Sequence, residues 1–139
     1  MADALLHDEV TREIIGAFYD VFNTVPFEQH ESVYAAAMAI AMADRELIVK
    51  REVACALHYR GIRIGDIRPD FIVNGCVVVE LKAAERIAPA HEKQLLGYLQ
   101  ATGLAVGLLL NFGLKAELRR LVLSPRGPRL TGVVGRVPV

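Results

Sequence analysis

Arg68-Pro69-Asp70-Phe71-Ile72-Val73-Asn74-Gly75-Cys76-Val77-Val78-Val79-Glu80-Leu81-Lys82 is the stretch whose reading decides the fold of this chain. Two β-branched runs, Ile67 to Val73 and Val77 to Lys82, flank Asn74-Gly75, a strong hairpin signal. Glu80 and Lys82 stand two apart, so on a strand their side chains share one face. Both interrupt an otherwise apolar run, and a charged side chain in a buried strand is costly unless it is paired or binds a cation. Asp70 returns to the same neighbourhood through the hairpin. Register then becomes a test. A plain two-residue turn would pair Val73 with Cys76 and Asp70 with Val79, which puts Asp70 and Glu80 on opposite faces. A shared site requires a bulge, an odd-length loop with Gly75 left-handed, or Asp70 lying beyond the regular ladder. Pro69 supports such an irregularity, because proline cannot donate to a ladder.

Upstream, Val10, Ile14, Phe18 and Val21 recur at helical spacing, so an amphipathic helix is expected over about residues 5–23. The segment from Asn23 to Gln29, with Pro26, breaks it. A second helix is expected from about His30 to Glu46, with Val33, Ala37, Ile40 and Ala41 on its packing stripe. From Ile48 to Tyr59 the period shortens to that of a strand. Downstream of the hairpin, Ala88 to Thr102 reads as a helix, with Pro89 in its first turn and Gly103 past its end. Val106 to Phe112 is a continuous apolar run suited to a buried central strand, and Leu118 to Leu123 reads as a last strand. The order α-α-β-β-β-α-β-β describes an α/β fold, a mixed β-sheet flanked by helices, and not a Rossmann alternation. Residues 1–123 are expected to form one domain and residues 124–139 a loosely held C-terminal tail.

With 139 residues, 53% of them apolar, and a mean hydropathy of +0.33, the chain is long and apolar enough to bury a core. No apolar run approaches the ~18 residues of a membrane span, and Met1 to Glu9 carries no secretion signal. Cys55 and Cys76 match no metal spacing and suit two buried, reduced thiols in a cytoplasmic protein, with a disulfide between them as the alternative. Sixteen basic residues balance sixteen acidic ones, so net charge does not advertise a nucleic-acid binder. The bases gather only at Lys50–Arg51, Arg60–Arg63, Arg119–Arg120 and in the tail, although a phosphate-binding site needs no more than a local patch.

Two carboxylates and a lysine on one sheet face suit phosphodiester hydrolysis. Mg²⁺ takes one or two carboxylates and keeps several waters, and it activates a water toward the phosphate. A lysine beside it orients that water and steadies developing negative charge. On spacing alone, Asp70, Glu80 and Lys82 read equally well as a buried ion-pair network. Glu31 stands in a first helical turn, where the helix dipole favours an acid whatever its role. Gln94 and Tyr98 are i and i+4 on the third helix, with His91 on the same face, apart from Leu95, Leu96 and Leu99. His91 reads as a first-turn surface residue and not as a ligand.

Pro69-Asp70 followed by Glu80-Leu81-Lys82 resembles the PD-(D/E)xK signature. Most of the chain up to Leu123 further resembles the GxxExxY family, which is assigned to that nuclease superfamily. The matching pieces are Glu31-Ser32-Val33-Tyr34, Tyr59-Arg60-Gly61, Arg68-Pro69-Asp70, Val79-Glu80-Leu81-Lys82-Ala83, His91 through Leu99, and Gly107 through Gly113. The glycine that opens the family's name falls at Glu28 here. The resemblance implies a restriction-endonuclease-like fold and a Mg²⁺-dependent nuclease, with Mn²⁺ as a substitute, acting on DNA ahead of RNA. It implies Asp70 and Glu80 as metal ligands, Glu31 as a further acid at the metal, and Lys82 as the group that positions the water. Gln94 and Tyr98 resemble the Gln-xxx-Tyr element of RecB-like nucleases, which lies beside the catalytic centre. The alternative is a catalytically inactive nuclease-fold module that binds nucleic acid or a protein partner, in line with the neutral charge and the missing glycine. Homodimerisation is compatible with either reading.

Overall fold

Two apolar runs make the middle of the sheet, Val77–Lys82 and Val106–Phe112, which lie side by side and parallel. Parallel neighbours need a crossover, and Pro89–Thr102 supplies it as a helix on one face. In chain order the elements are α1 (Asp8–Thr24), α2 (Glu31–Asp44), β1 (Val49–Arg51), β2 (Cys55–Tyr59), β3 (Ile62–Ile67), β4 (Phe71–Val73), β5 (Val77–Lys82), α3 (Pro89–Thr102), β6 (Val106–Phe112), β7 (Ala116–Ser124) and β8 (Gly127–Arg129). They come from a computed structural model that describes residues 6–124 and the strand 127–129. The main sheet runs β1-β4-β5-β6-β7-β8, with β5–β6 its parallel pair and every other neighbour antiparallel. Alternation along β5 sends Val77, Val79 and Leu81 toward α1 and α2, while Val78 joins Leu95, Leu99, Leu109 and Leu121 under α3. The fold is thus a mixed β-sheet flanked by helices, as the hydrophobic pattern implies. No helix among the described residues is long and apolar enough to cross a membrane.

Several expectations need correction. The stretch from Ile48 to Tyr59 is not one strand. Glu52 takes a left-handed conformation (φ 48°) that turns the chain out of the main sheet after β1. Cys55–Tyr59 then pairs with Ile62–Ile67 as a separate two-stranded ribbon, closed by Arg60-Gly61, both at positive φ. Ile67 to Val73 likewise divides at Arg68-Pro69-Asp70, so the order is α-α-β-β-β-β-β-α-β-β-β. On α2 the buried stripe is Tyr34, Met38 and Met42, one register off the expected one, and Ile40 is 66% exposed. Bulk decides this, since the long side chains at i, i+4 and i+8 fill the space over the sheet. Of the expected basic pair, Arg120 is buried, with its guanidinium donating to the carbonyl of Leu6. Of the expected tail, Ser124 closes β7 and Gly127–Arg129 add a strand to it. Residues 125, 126 and 130–139 lie outside the described residues. Both cysteines are free and half-buried, and Cys76 lies in the β4–β5 turn.

One aromatic contact ties the α1–α2 loop to the sheet. The Tyr34 ring stacks on Phe112 (centroids 4.2 Å apart, 7° between planes), and Phe18 meets Phe112 edge-on at 4.9 Å. The Tyr34 hydroxyl donates to the Pro26 carbonyl and accepts the Gln29 N–H, each at 3.3 Å. Between those anchors Glu28 is held left-handed at φ 61°. Such a conformation costs an L-residue roughly 1–2 kcal/mol, part of which glycine's freer unfolded chain offsets. Glu28→Gly is therefore expected to stabilise the protein by about 0.5–1 kcal/mol, read as a higher midpoint in urea unfolding with the slope unchanged.

Candidate active site

The β4–β5 connection places the acidic pair. Val73 pairs with Val77, so the loop is the three residues Asn74-Gly75-Cys76, not the two-residue turn that Asn-Gly alone favours. Asn74 and Gly75 are both left-handed (φ 51° and 64°), and the Cys76 N–H closes on the Val73 carbonyl at 3.0 Å. Asn74 is also bonded to Ile48 at both ends: its Oδ1 accepts the Ile48 N–H at 2.7 Å and its N–H donates to the Ile48 carbonyl at 2.8 Å. The odd loop sets Phe71 opposite Val79, so Asp70 comes level with Glu80 on the same face.

Backbone N–H groups then hold both acids. The Asp70 N–H donates to Glu80 Oε1 at 2.7 Å, and the Leu81 N–H donates to Asp70 Oδ2 at 2.7 Å. Glu80 is only 5% exposed. Burial first, then the neighbouring Asp70 charge, push its carboxyl up to about 8, against the pull of the Asp70 N–H and Lys82. Burial also raises Asp70, opposed by the Leu81 N–H and by Lys82. Lys82 points to the α3 side, where its Nζ donates to Gln94 Oε1 at 2.8 Å. Gln94 Nε2 in turn donates to the Tyr98 hydroxyl at 3.0 Å, so α3 presents a relay of polar groups to the acids. Burial and the charge of Glu80 raise the Tyr98 hydroxyl.

Glu31 approaches from the first turn of α2. It is exposed, and its carboxyl is raised by its partial burial and by Asp70. With Ser32, Ala35, Arg51, Glu52 and Asp70 it lines a cavity of about 210 Å³. Asp70, Glu80, Lys82, Gln94 and Tyr98 are thus brought into one connected group, and Glu31 faces that group across the cavity. His91 stays outside it, accepting the Ala88 N–H at the start of α3. Among the described residues, no three His, Cys, Asp or Glu side chains are arranged as a ready metal cage. The donor chemistry still fits a hard divalent cation: two carboxylates fixed side by side, Asp70 just before β4 and Glu80 within β5.

Two residues join this frame that sequence reasoning did not single out. Glu52 lines the Glu31 cavity, its N–H donates to the Asp70 carbonyl at 3.1 Å, and its charge raises Asp70. No periodicity marks it, since only the turn out of β1 brings it there. Asn111 is fully buried and grips Ala84 twice, through Oδ1 to its N–H (2.9 Å) and Nδ2 to its carbonyl (3.0 Å). Its signal was present, because an amide within an apolar strand must find partners. A stability profile checks the electrostatics. Glu80 folds with its carboxyl raised from 4.5 to about 8, so the unfolded chain releases that proton first and stability falls as pH rises between those values. Glu80→Gln is expected to flatten the urea-unfolding profile over that window.

The sequence model described as the PD-(D/E)XK nuclease superfamily matches residues 8–121. No curated protein matches the chain. A solved structure described as "Crystal structure of SSO0001" is similar at 16% identity, over 82% of this chain and 78% of that one, with a TM-score of 0.42, a likeness too slight to argue from. Nucleases of this superfamily generally use divalent metals, in keeping with the donor set above. With the match running from the first turn of α1 into β7 and taking in the whole Asp70–Lys82 hairpin, the chain belongs to the PD-(D/E)XK nuclease superfamily.

Proposed function

We propose that this protein is a Mg²⁺-dependent nuclease that hydrolyses phosphodiester bonds of nucleic acid, DNA ahead of RNA, with Mn²⁺ able to replace Mg²⁺. The observation that carries the reading is the Asp70–Glu80 pair, locked by the Asp70 N–H on Glu80 and the Leu81 N–H on Asp70, beside a lysine held by Gln94. Asp70 and Glu80 would hold the ion, with Glu31 available across the cavity. When bound, the ion supplies Lewis acidity toward the scissile phosphate and a more acidic water. Lys82 orients the attacking water and offsets charge developing on the phosphate oxygens. Gln94 fixes the Lys82 ammonium, and Tyr98 fixes Gln94, so both are positioned along the phosphate path. Within the superfamily we assign the chain to the GxxExxY family. The left-handed backbone at Glu28, a conformation that favours glycine, supports that assignment, since this is the position of the family's glycine.

Calorimetry with Mg²⁺ and Mn²⁺ is expected to show binding in the wild type and none in Asp70→Ala or Glu80→Ala. On labelled single-stranded and duplex DNA and RNA, metal-dependent cleavage is expected to fall by about 10²-fold or more in Lys82→Ala, with the fold retained. A wild type that binds oligonucleotide but cleaves nothing with either metal would overturn the catalytic reading in favour of an inactive binding module.

A further inference from the structure

A larger cavity, about 350 Å³, opens at the C-terminal ends of β5 and β6. Three connections wall it: the α1–α2 loop with Phe27, Glu28 and Gln29, the β5–α3 loop from Ala83, and the β6–β7 turn with Leu114. Two of them continue directly from the acidic site. Ala83 follows Lys82, one Cα step of ~3.8 Å, and Gln29 precedes Glu31 by two such steps. The cavity is therefore next to the place where a phosphodiester would be cut. We propose that it receives one unpaired nucleobase of the strand being cleaved, so that the preferred substrate is single-stranded or frayed nucleic acid. This rests on the nuclease reading above and names the substrate form that goes with it.

The lining selects a base over a phosphate. Phe27, 63% exposed, and Leu114, 77% exposed, offer apolar surface at the mouth, and Phe112 lies beneath. Every base has a π-face that stacks on such a side chain, whereas a phosphate gains nothing there. Glu28 and Glu85 stand on the wall, where they repel a phosphate and accept hydrogen bonds from ring and exocyclic N–H groups of a base. A neighbouring cavity shares Glu85 and Leu114 and adds Arg86, Lys115 and Glu117; Glu117 is engaged with the Ile87 N–H and Asn111, which leaves the two cations to meet the backbone phosphate on the far side of that base. The volume falls within the roughly 300–1,000 Å³ range of ligand pockets. A paired base reaches such a pocket only after unstacking, at a cost of a few kcal/mol that a single strand avoids.

The walls are set before a ligand arrives. Tyr34 pins the loop on both sides of Phe27 and Glu28. Asn111 fixes Ala84, and Glu117 accepts the Ile87 N–H at 3.2 Å. Gly113 lets the two remaining walls meet, since a Cβ there would lie 2.7 Å from the Ala84 carbonyl oxygen. Walls held this way lower the ordering cost of binding.

The test is fluorescence anisotropy in EDTA buffer, with a short fluorescein-labelled oligonucleotide as single strand or duplex, in DNA and RNA arms that identify the sugar. The single strand is expected to bind more tightly than the duplex. Phe27→Ala should weaken single-strand binding about 5- to 100-fold while leaving duplex binding unchanged. Moving one abasic site along the strand should reproduce that loss at a single position. Leu114→Glu, at a highly exposed position, provides the same reading should Phe27→Ala fail to fold by circular dichroism. Wild-type affinity in a folded Phe27→Ala or Leu114→Glu protein, or no abasic position that matters, overturns the pocket while leaving a cleaving enzyme intact. Base-dependent binding without cleavage by the wild type in Mg²⁺ or Mn²⁺ overturns the catalytic reading and leaves the pocket standing.

Discussion

The pair of hydrogen bonds that ties Asp70 to β5, its N–H to Glu80 and its carboxylate to the Leu81 N–H, is the constraint on which the rest of the site depends. Each carboxylate accepts a backbone N–H from the other's strand, so the two acids are held by the ends of the ladder and not by their own rotamers. The price is electrostatic: burial pushes both carboxyls upward, helped at Glu80 by the Asp70 charge and at Asp70 by Glu52, and the two N–H groups with Lys82 offset only part of this.

The surrounding elements keep that pair in place. β5 is buried along nearly its whole length, and its parallel partner β6 can be reached only through α3, which delivers Gln94 and Tyr98 to Lys82. On the other side of the sheet Tyr34 and Phe112 lock the loop that leads into α2, and through it the first turn that carries Glu31. The β2–β3 ribbon leaves the main sheet just after β1 and returns just before Asp70. The strand break at Arg68-Pro69 is thus the point where a regular ladder gives way to a side chain free to accept the Leu81 N–H.

Much of this was legible in the residues themselves. The apolar runs at Val77 and Val106, the proline and glycine around α3, and the 3.6-residue repeat in α1 report local preferences that tertiary contacts then reinforce. The α2 stripe was misread because Ala, Ile and Val are apolar at several phases of that helix, and only side-chain length selects Tyr34, Met38 and Met42. Breaks in strand continuity were illegible for a similar reason: the alternation from Ile48 to Tyr59 persists through Glu52, where a left-handed turn accompanies a backbone bond to Asp70, far off in the chain.

By itself the sequence determined the mixed sheet flanked by helices and the presence of two acids and a lysine within one hairpin, because periodicity and turn chemistry are local properties. It left the register open between a two-residue turn that separates Asp70 from Glu80 and irregular arrangements in which they meet. Only the tertiary structure decided which of these forms. The three-residue loop is held by bonds between Asn74 and Ile48, which belong to segments distant in sequence. Tertiary structure alone also brought Glu52 to Asp70 and closed three loops into a cavity beside Lys82, since neither arises from any one segment's pattern.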